Sequence, residues 1–292
     1  MHNIIKLIRP HQYLKNGFVW LGIMFAQNRT LTDIVHVGLV FLAFCAAASC
    51  VYVFNDIFDV QADRLHPVKR HRPIASGTVS IPTAWWLTGF LALLAFSMAT
   101  RVGWAAVAFI VLYLLINIAY SLRLKHVVIL DVFIISTGFM LRILAGTVGV
   151  DIAPSQWLLL TGLMLTLFLG FAKRRAELLM LENSGQANHA NIRRVLDDYS
   201  PVVLDQLTGI TAACTILSYG LYTVSPETVR VHGTQALFYT LPFVIYGMFR
   251  YLYLLHHHAR GGDTAKDLMT DPHLIITGIG WLAITLTVLK TH

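Results

Sequence analysis

Charged side chains are scarce in this sequence. Only 13% of its 292 residues are Asp, Glu, Lys or Arg, whereas 56% are hydrophobic, and the mean hydropathy is +0.64. Soluble globular domains usually contain about 25% charged residues. The scarcity therefore excludes an ordinary soluble domain and a large catalytic module outside a membrane.

Cysteine is scarce as well, and the glycines form no nucleotide-binding pattern. Cys45, Cys50 and Cys214 lie in apolar runs, an arrangement that gives neither a disulfide framework nor a zinc-binding spacing. We interpret them as small buried apolar side chains. A Walker-type phosphate loop and a dinucleotide glycine fingerprint are also missing, so neither a P-loop NTPase nor a Rossmann enzyme is supported.

Long apolar runs, in contrast, are abundant. A spanning helix needs about 20 apolar residues, and backbone amides inside lipid must be satisfied within their own segment. The sequence therefore predicts an all-α, polytopic integral membrane protein with about nine transmembrane helices in a single domain, residues 1–292. The expected helices cover residues 16–28, 34–54, 82–100, 103–120, 127–149, 155–172, 202–224, 235–255 and 272–290. We expect no removable signal peptide.

The few charges are unevenly distributed along the chain. Its 22 basic and 15 acidic residues give a net charge of +7, and most basic residues lie in the N-terminus and in the loops after even-numbered segments. The positive-inside rule then predicts a protein of the cytoplasmic (inner) membrane with its N-terminus in the cytoplasm. Because topology accounts for the basic excess, we expect no nucleic-acid partner. Most acids lie on the same side, which predicts a polar cavity facing the cytoplasm.

Three aspartates follow the second apolar segment at helical spacing. In a continuous helix, Asp56, Asp59 and Asp63 form one carboxylate stripe, with Asn55 beside it. Their charges repel one another at a helix end where the macrodipole already disfavours negative charge. Cations would stabilise the stripe, and hard oxygen ligands favour Mg²⁺. The alternative is a solvated acidic cap at the membrane edge.

A basic cluster comes directly after this stripe. It contains Arg64, Lys69, Arg70 and Arg72, together with His66 and His71. These cations supply donors for phosphate oxygens, and Arg suits bidentate contacts. Positive-inside topology is the alternative explanation of the cluster. Together with the carboxylate stripe, it predicts a diphosphate site.

The pattern from Asn55 to Asp63 resembles the first aspartate-rich motif of the UbiA superfamily of intramembrane prenyltransferases. The resemblance implies a cytoplasm-facing cavity in which aspartates bind Mg²⁺ and a diphosphate. Most members have a second acidic motif after the sixth helix, but this chain has a basic stretch there that includes Lys173 and Arg174. We expect these cations to bind a further phosphate group. The alternative is that one of them pairs locally with Glu177.

Several segments together resemble one branch of that superfamily, the decaprenyl-phosphate phosphoribosyltransferases. The segments are 9–16, 55–77, 131–146, 173–178 and 262–271. The resemblance implies a pentosyltransferase that moves 5-phosphoribose from phosphoribosyl pyrophosphate to a polyprenyl phosphate. It further implies release of pyrophosphate, Mg²⁺ as cofactor and a role in cell-envelope precursor synthesis.

The expected site residues follow from the charges and from this resemblance. Asp56, Asp59 and Asp63 are the expected catalytic residues and, with Asn55, the expected metal ligands. The expected substrate-binding residues are Lys15, Asn55, Arg64, Lys69, Arg72, Tyr120, Lys125, Arg142, Lys173 and Arg174. Tyr120 and Lys125 resemble a family loop motif near the diphosphate, although Tyr120 also suits an interfacial anchor. Arg142 is ionisable inside an apolar segment, where function is the default hypothesis and helix-locking pairing is the alternative.

Two other functions remain open from the sequence. A prenyltransferase would move an isoprenoid from its diphosphate to an aromatic acceptor, but the missing second acidic motif weakens this hypothesis. A membrane transporter would also place charges inside apolar segments, although the sequence contains no convincing inverted repeat. A homo-oligomer is compatible with all three functions.

Overall fold

The computed structural model describes residues 2–26, 30–65, 69–184, 198–258 and 270–291. His66 and most of the predicted segment 262–271 lie outside these ranges. The α-helices are α1 (His2–Ile8), α2 (Leu21–Met24), α3 (Leu31–Phe58), α4 (Val60–Leu65), α5 (Ile81–Thr100), α6 (Trp104–Leu122), α7 (Leu130–Ala145), α8 (Gln156–Ser184), α9 (Pro201–Val224), α10 (Pro226–His232), α11 (Leu241–His258) and α12 (Pro272–Thr291). Short 3₁₀ helices span Pro10–Trp20, Lys69–His71, Leu124–His126, Val148–Val150 and Ala236–Thr240.

Eight segments of the described chain are long and apolar enough to cross a membrane. They are Leu31–Phe58, Ile81–Thr100, Trp104–Leu122, Leu130–Val150, Gln156–Leu179, Pro201–Val224, Ala236–His256 and Pro272–Thr291. Each overlaps one predicted apolar segment, so the prediction of an all-α multi-pass membrane protein is confirmed. The remaining predicted helix, 16–28, differs: its described part belongs to the 3₁₀ helix Pro10–Trp20 and to the four-residue α2.

The 3₁₀ helix Pro10–Trp20 follows α3 in the opposite direction. Tyr13 shares a hydrogen bond of 2.9 Å with Ser49, and the side-chain amide of Asn16 donates to Sγ of Cys45 at 3.2 Å. Side chains three residues apart eclipse each other in a 3₁₀ helix, so both polar groups face α3. The described chain therefore packs as a 3₁₀ helix against α3 up to Trp20, where the sequence predicts a spanning helix from residue 16.

A close backbone approach holds the same segment against the end of α7. A Cβ atom added to Gly146 would lie 1.9 Å from the carbonyl oxygen of Val19. No side chain larger than hydrogen fits at that distance, so residue 146 must be glycine for this packing. This contact holds the end of the 3₁₀ helix close to the end of α7.

The described residues divide into two compact units. The first comprises the described residues up to 134 and residues 138–154, and the second comprises residues 135–137 and the described residues from 155 onward. In the first unit, α3 is largely buried against α5 and α6, and its small side chains, such as Ala43 and Ala47, allow close packing. A capping box between Thr30 and Asp33 starts α3. The single domain remains a prediction.

The second unit is built from α8, α9, α11 and α12. Phe168 and Ala172 of α8 pack in its core with Ala212 of α9 and Leu254 of α11. Two ion pairs join its helices: Arg175 contacts Asp205 at 2.8 Å, and Arg250 contacts Asp271 at 2.8 Å.

Candidate active site

The carboxylate motif crosses the end of α3. The helix ends at Phe58, Asp59 caps it, and α4 begins at Val60. Backbone bonds of 2.8 Å run from the amide of Asp59 to Asn55 and from the amide of Asp63 to Asp59. The chain therefore keeps nearly helical spacing across the junction, since no Gly or Pro interrupts it.

Asp56 and Asp63 contact the same guanidinium group. Nη1 of Arg72 lies 3.1 Å from Oδ1 of Asp56 and 2.7 Å from Oδ2 of Asp63, and both carboxylates are buried. Nη2 of Arg9 approaches Oδ1 of Asp56 to 2.5 Å. We call Arg9, Asp56, Asp63 and Arg72 the arginine–carboxylate cluster.

One oxygen of this cluster has no hydrogen-bond partner among the described residues. Oδ2 of Asp56 is buried and accepts no hydrogen bond from any of the described residues. A buried carboxylate oxygen without a partner is costly, so such atoms usually mark a ligand, an ion or an ordered water. The two arginines compensate the charge of Asp56 through its other oxygen alone.

Asp59 and Asn55 face α6 and the 3₁₀ helix that follows it. Nζ of Lys125 lies 3.1 Å from Oδ1 of Asp59, whose side chain is 39% exposed. The hydroxyl of Ser121 donates to Oδ1 of Asn55. Asn55 and Asp59 are four residues apart and share a helix face. We call Asn55, Asp59, Ser121 and Lys125 the Asn55–Lys125 group.

The donor chemistry of these residues fits Mg²⁺, while their arrangement separates the three carboxylates. In the described part of the chain, no three His, Cys, Asp or Glu side chains lie close enough together to hold a metal ion. Asp56 and Asp63 face Arg72, and Asp59 faces Lys125. Carboxylate and amide oxygens are nevertheless the ligands that Mg²⁺ takes, and the unpartnered oxygen of Asp56 is available for such an ion.

Sequence reasoning missed Arg9 as a site residue. Its backbone is left-handed, with φ 53° and ψ 60°, a conformation that costs a non-glycine residue about 1–2 kcal/mol. Its guanidinium also lies over the ring of Tyr52, 5.1 Å from the centroid. Strained backbone of this kind occurs preferentially at functional sites. The sequence signal was the position of Arg9 at the start of the resembling segment 9–16.

Ser121 was missed for a different reason. A serine at the end of an apolar helix more often bonds its own backbone, and Ser121 also donates to the carbonyl of Asn117 at 2.7 Å. Its contact with Asn55 depends on how α6 packs against α3. No local pattern in the sequence indicates that contact.

Four other predicted residues lie outside both polar groups. Nε of Arg64 donates to the carbonyl of Ala75 at 3.2 Å and supports the loop after α4. Lys69 is exposed, whereas Lys15 and Tyr120 are half-buried. Substrate binding by these side chains remains a prediction.

Arg142 is buried among neutral groups. Its guanidinium donates to Oδ1 of Asn16 and to the carbonyl of Gly138, both at 2.7 Å, and to the hydroxyl of Tyr113 at 3.0 Å. The rings of Phe44, Tyr113 and Phe139 surround it, with centroids 4.8–5.5 Å from Cζ. Arg142 therefore joins α7 to α6 and to the 3₁₀ helix, and substrate binding by it remains a prediction.

The basic stretch of α8 lies in the second unit. Arg174 is fully buried and pairs with Glu177 one helical turn later, at 2.5 Å. This is the local pairing that the sequence left as an alternative. Lys173 is half-buried. Phosphate binding by Lys173 and Arg174 remains a prediction.

Comparison with known proteins identifies the family. The sequence model of the UbiA prenyltransferase family matches residues 17–270. The chain belongs to this family. A decaprenyl-phosphate phosphoribosyltransferase of Mycolicibacterium smegmatis is 37% identical to it over 229 residues, which are 77% of this chain and 71% of the relative. A decaprenyl-phosphate phosphoribosyltransferase of Corynebacterium glutamicum is 33% identical over 96% of this chain and 84% of the relative.

A solved structure agrees with the UbiA fold. A UbiA homolog from Archaeoglobus fulgidus, bound to GPP and Mg²⁺, superposes with a TM-score of 0.71 and 17% identity over 99% of both chains. At this identity the likeness shows the fold alone. The resemblance inferred from the motif between Asn55 and Asp63 is confirmed at the level of the family.

Proposed function

We propose that this UbiA-family protein transfers 5-phosphoribose from phosphoribosyl pyrophosphate to a polyprenyl phosphate and releases pyrophosphate. The two relatives named as decaprenyl-phosphate phosphoribosyltransferases support this pentosyltransferase activity. The structural observation that carries the proposal is the bridging of Asp56 and Asp63 by Arg72. A polyphosphate donor requires carboxylates that hold a metal ion and cations that contact its phosphate oxygens. Both kinds of side chain lie in contact at the end of α3.

The donor carries a diphosphate on C1 and a phosphate on C5, and we assign two kinds of residues to them. Asp56, Asp59, Asp63 and Asn55 would hold Mg²⁺, which when bound neutralises charge on the leaving pyrophosphate. Arg9 and Arg72 would contact phosphate oxygens through forked donors. The other residues proposed to bind the substrates are the cations Lys15, Arg64, Lys69, Lys125, Arg142, Lys173 and Arg174, and Tyr120.

The chemistry requires no strong general base. A phosphate oxygen of the lipid is already anionic and supplies the electron pair for the new bond to C1. The bond between C1 and pyrophosphate breaks, and pyrophosphate leaves with that electron pair. The side chains therefore act by holding both phosphates in position and by stabilising the charges of a ribosyl transition state with cation character.

The setting of the reaction is part of the same proposal. The protein would lie in the cytoplasmic membrane with its N-terminus and its site facing the cytoplasm, as the distribution of Lys and Arg indicates. The product would serve cell-envelope precursor synthesis. A homo-oligomer is compatible with this arrangement, since many helix faces are exposed and apolar.

The test uses the purified protein in detergent or lipid nanodiscs. Phosphoribosyl pyrophosphate labelled in the ribose is offered with decaprenyl phosphate, and labelled lipid and free pyrophosphate are measured together. We expect equal amounts of both products. Pyrophosphate release without labelled lipid, or no reaction of this donor, would overturn the proposal. In a separate assay with the protein reconstituted into lipid vesicles, uptake of the unchanged donor would indicate a transporter instead.

A further inference from the structure

An apolar cavity lies between α3, α5 and α6. Its volume is about 290 Å³, and its walls include Val51, Phe54, Trp85, Gly89, Leu114 and Ile118. All of them belong to predicted membrane-spanning segments of the first unit. We call it the α3–α5–α6 cavity. The arginine–carboxylate cluster contributes no side chain to its wall.

The lining selects for hydrocarbon. Phe54 packs edge-on against Trp85 with ring centroids 5.9 Å apart. Thr88 also lines the cavity, and its hydroxyl donates to the carbonyl of Ala84 in its own helix at 2.8 Å. Because this hydroxyl is already bonded, the wall offers a ligand almost no free polar group. An apolar chain gains free energy from burial in such a cavity.

The cavity ends near the Asn55–Lys125 group. Val51 lines the cavity, and Asn55 follows it by four residues on the same face of α3. Ile118 lines it on α6, and Ser121, which bonds Asn55, follows by three residues. Four residues of an α-helix rise about 6 Å. Phe54, which also lines the cavity, directly precedes Asn55, so polar groups of the candidate site lie within about one helical turn of the apolar wall.

We propose that the α3–α5–α6 cavity binds the isoprene units nearest the phosphate of the polyprenyl acceptor. This assignment rests on the proposed function, because that function supplies a ligand with a phosphate head and an apolar tail. An apolar cavity of about 150 Å³ holds one benzene molecule. By that measure the α3–α5–α6 cavity holds about ten carbon atoms, which is two isoprene units.

Trp85 of the cavity wall and the neighbouring Phe58 are both partly exposed. Trp85 is 45% exposed, and Phe58, one turn beyond Phe54 on α3, is 50% exposed. Their ring centroids are 6.2 Å apart. Two isoprene units fill the cavity, so later units would extend outside it and the cavity would recognise only the beginning of the chain.

Gly89 offers a variant that fills the cavity without disturbing the fold. A Cβ atom at this position meets no other atom within 4 Å, and the residue lies inside α5. Gly89→Leu adds a better helix former and places hydrocarbon in the wall of the cavity. Gly209→Leu is the matched control, because Gly209 also meets nothing within 4 Å and lies in α9 of the second unit.

The experiment measures both variants with decaprenyl phosphate as acceptor. We expect Gly89→Leu to raise the KM for the lipid at least about tenfold, a change that corresponds to about 1.4 kcal/mol. The KM for phosphoribosyl pyrophosphate should stay unchanged, and Gly209→Leu should match the wild type in both constants. An unchanged lipid KM in Gly89→Leu would overturn the assignment while leaving the ribosyl transfer itself intact.

Photo-crosslinking provides a readout that needs no turnover. A polyprenyl phosphate with a diazirine on its second isoprene unit should label residues 50–54, 85–92 and 114–118 of the wild type, and Gly89→Leu should lose this labelling. Labelling elsewhere, or equal labelling by a diazirine phosphatidic acid, would contradict the assignment to the acceptor. If the lipid labels the cavity and the wild type transfers no ribose, the proposed function fails and the lipid site stands.

Discussion

Arg9 donates to Oδ1 of Asp56 at 2.5 Å, which connects the strained start of the N-terminal 3₁₀ helix to the carboxylate motif at the end of α3. A charge-assisted contact of this kind contributes about 1.5–3 kcal/mol. Because Arg9 is also proposed to contact phosphate oxygens of the donor, we expect Arg9→Ala to raise the KM for phosphoribosyl pyrophosphate at least about tenfold. Arg101→Ala, at an exposed position after α5, is the control and should leave that KM unchanged.

The backbone of Arg9 permits a second comparison. Glycine adopts φ 53° without strain, whereas alanine does not. Arg9→Gly should therefore unfold at a higher temperature than Arg9→Ala, by an amount equivalent to about 1 kcal/mol. The KM for the donor should be raised equally in both variants, because both lack the guanidinium. Equal melting temperatures of the two variants would show that the left-handed conformation stores no strain.

Asp56 and Asp63 should be essential for transfer. Asp56→Asn and Asp63→Asn keep the shape of the side chain and remove the charge that a metal ion and Arg72 would share. We expect each variant to lose at least about 99% of the turnover, because a metal ligand in the site contributes several kcal/mol. Asp151→Asn is the control: Asp151 is exposed with φ 60°, which Asn tolerates well. Substantial turnover in Asp56→Asn would refute the metal assignment.

Arg142 provides a test of structure against substrate binding. Its fork reaches three neutral acceptors, and a lysine ammonium cannot match that geometry. Arg142→Lys should destabilise the fold by about 2–3 kcal/mol, measured by thermal unfolding in detergent. If Arg142 acts only through packing, the donor KM of the folded fraction stays at the wild-type value. A raised KM with unchanged stability would instead assign it to the substrate.

Acid should weaken the second unit through Asp271. Hydrogen bonds from the Arg250 guanidinium lower the pKa of Asp271 from the usual 3.8 to about 2, and the backbone amide of Leu274 adds to the effect. Because the folded pKa is depressed, the ion pair stabilises the fold fully above the usual pKa. That stabilisation is lost as pH falls towards about 2.

Asp271→Asn isolates this contribution, since Asn can still cap α12. Its melting temperature should lie below the wild type at neutral pH, and the difference should shrink as pH falls through the interval between 3.8 and about 2. Asp271→Ala also loses the cap, a further cost of about 1 kcal/mol. A difference that stays constant down to the lowest pH would contradict the ion-pair explanation.

The parts of this fold that depend on local patterns could be predicted from sequence. Hydropathy identifies helices such as α3 because lipid forces any apolar run of that length to satisfy its own backbone. Helical spacing likewise indicates that Asp56 and Asp63 share a face, and one arginine joins them. The 3₁₀ helix Pro10–Trp20 was not predictable, since its geometry depends on packing against α3 and on the close approach of Gly146 to Val19.

Contacts between residues distant in sequence could not be predicted either. The guanidinium of Arg9 reaches Asp56 across 47 positions, and Ser121 reaches Asn55 across 66. Neither partner is indicated by the residues around it. Asp59 contacts Lys125, whereas Asp56 and Asp63 contact Arg72, because helical spacing places Asp59 near the face of Asn55 that packs towards α6.

A competition assay tests the central claim most directly. The purified protein receives phosphoribosyl pyrophosphate and a prenyl diphosphate, each with a different isotope, together with decaprenyl phosphate, an aromatic prenyl acceptor and Mg²⁺. We predict that the ribose isotope is transferred to decaprenyl phosphate and that no prenyl isotope is transferred to the aromatic acceptor. EDTA should stop the ribosyl transfer, Mg²⁺ should restore it and Asp56→Asn should abolish it. Incorporation of the prenyl isotope into the aromatic acceptor, with no ribose in the lipid, would contradict the account.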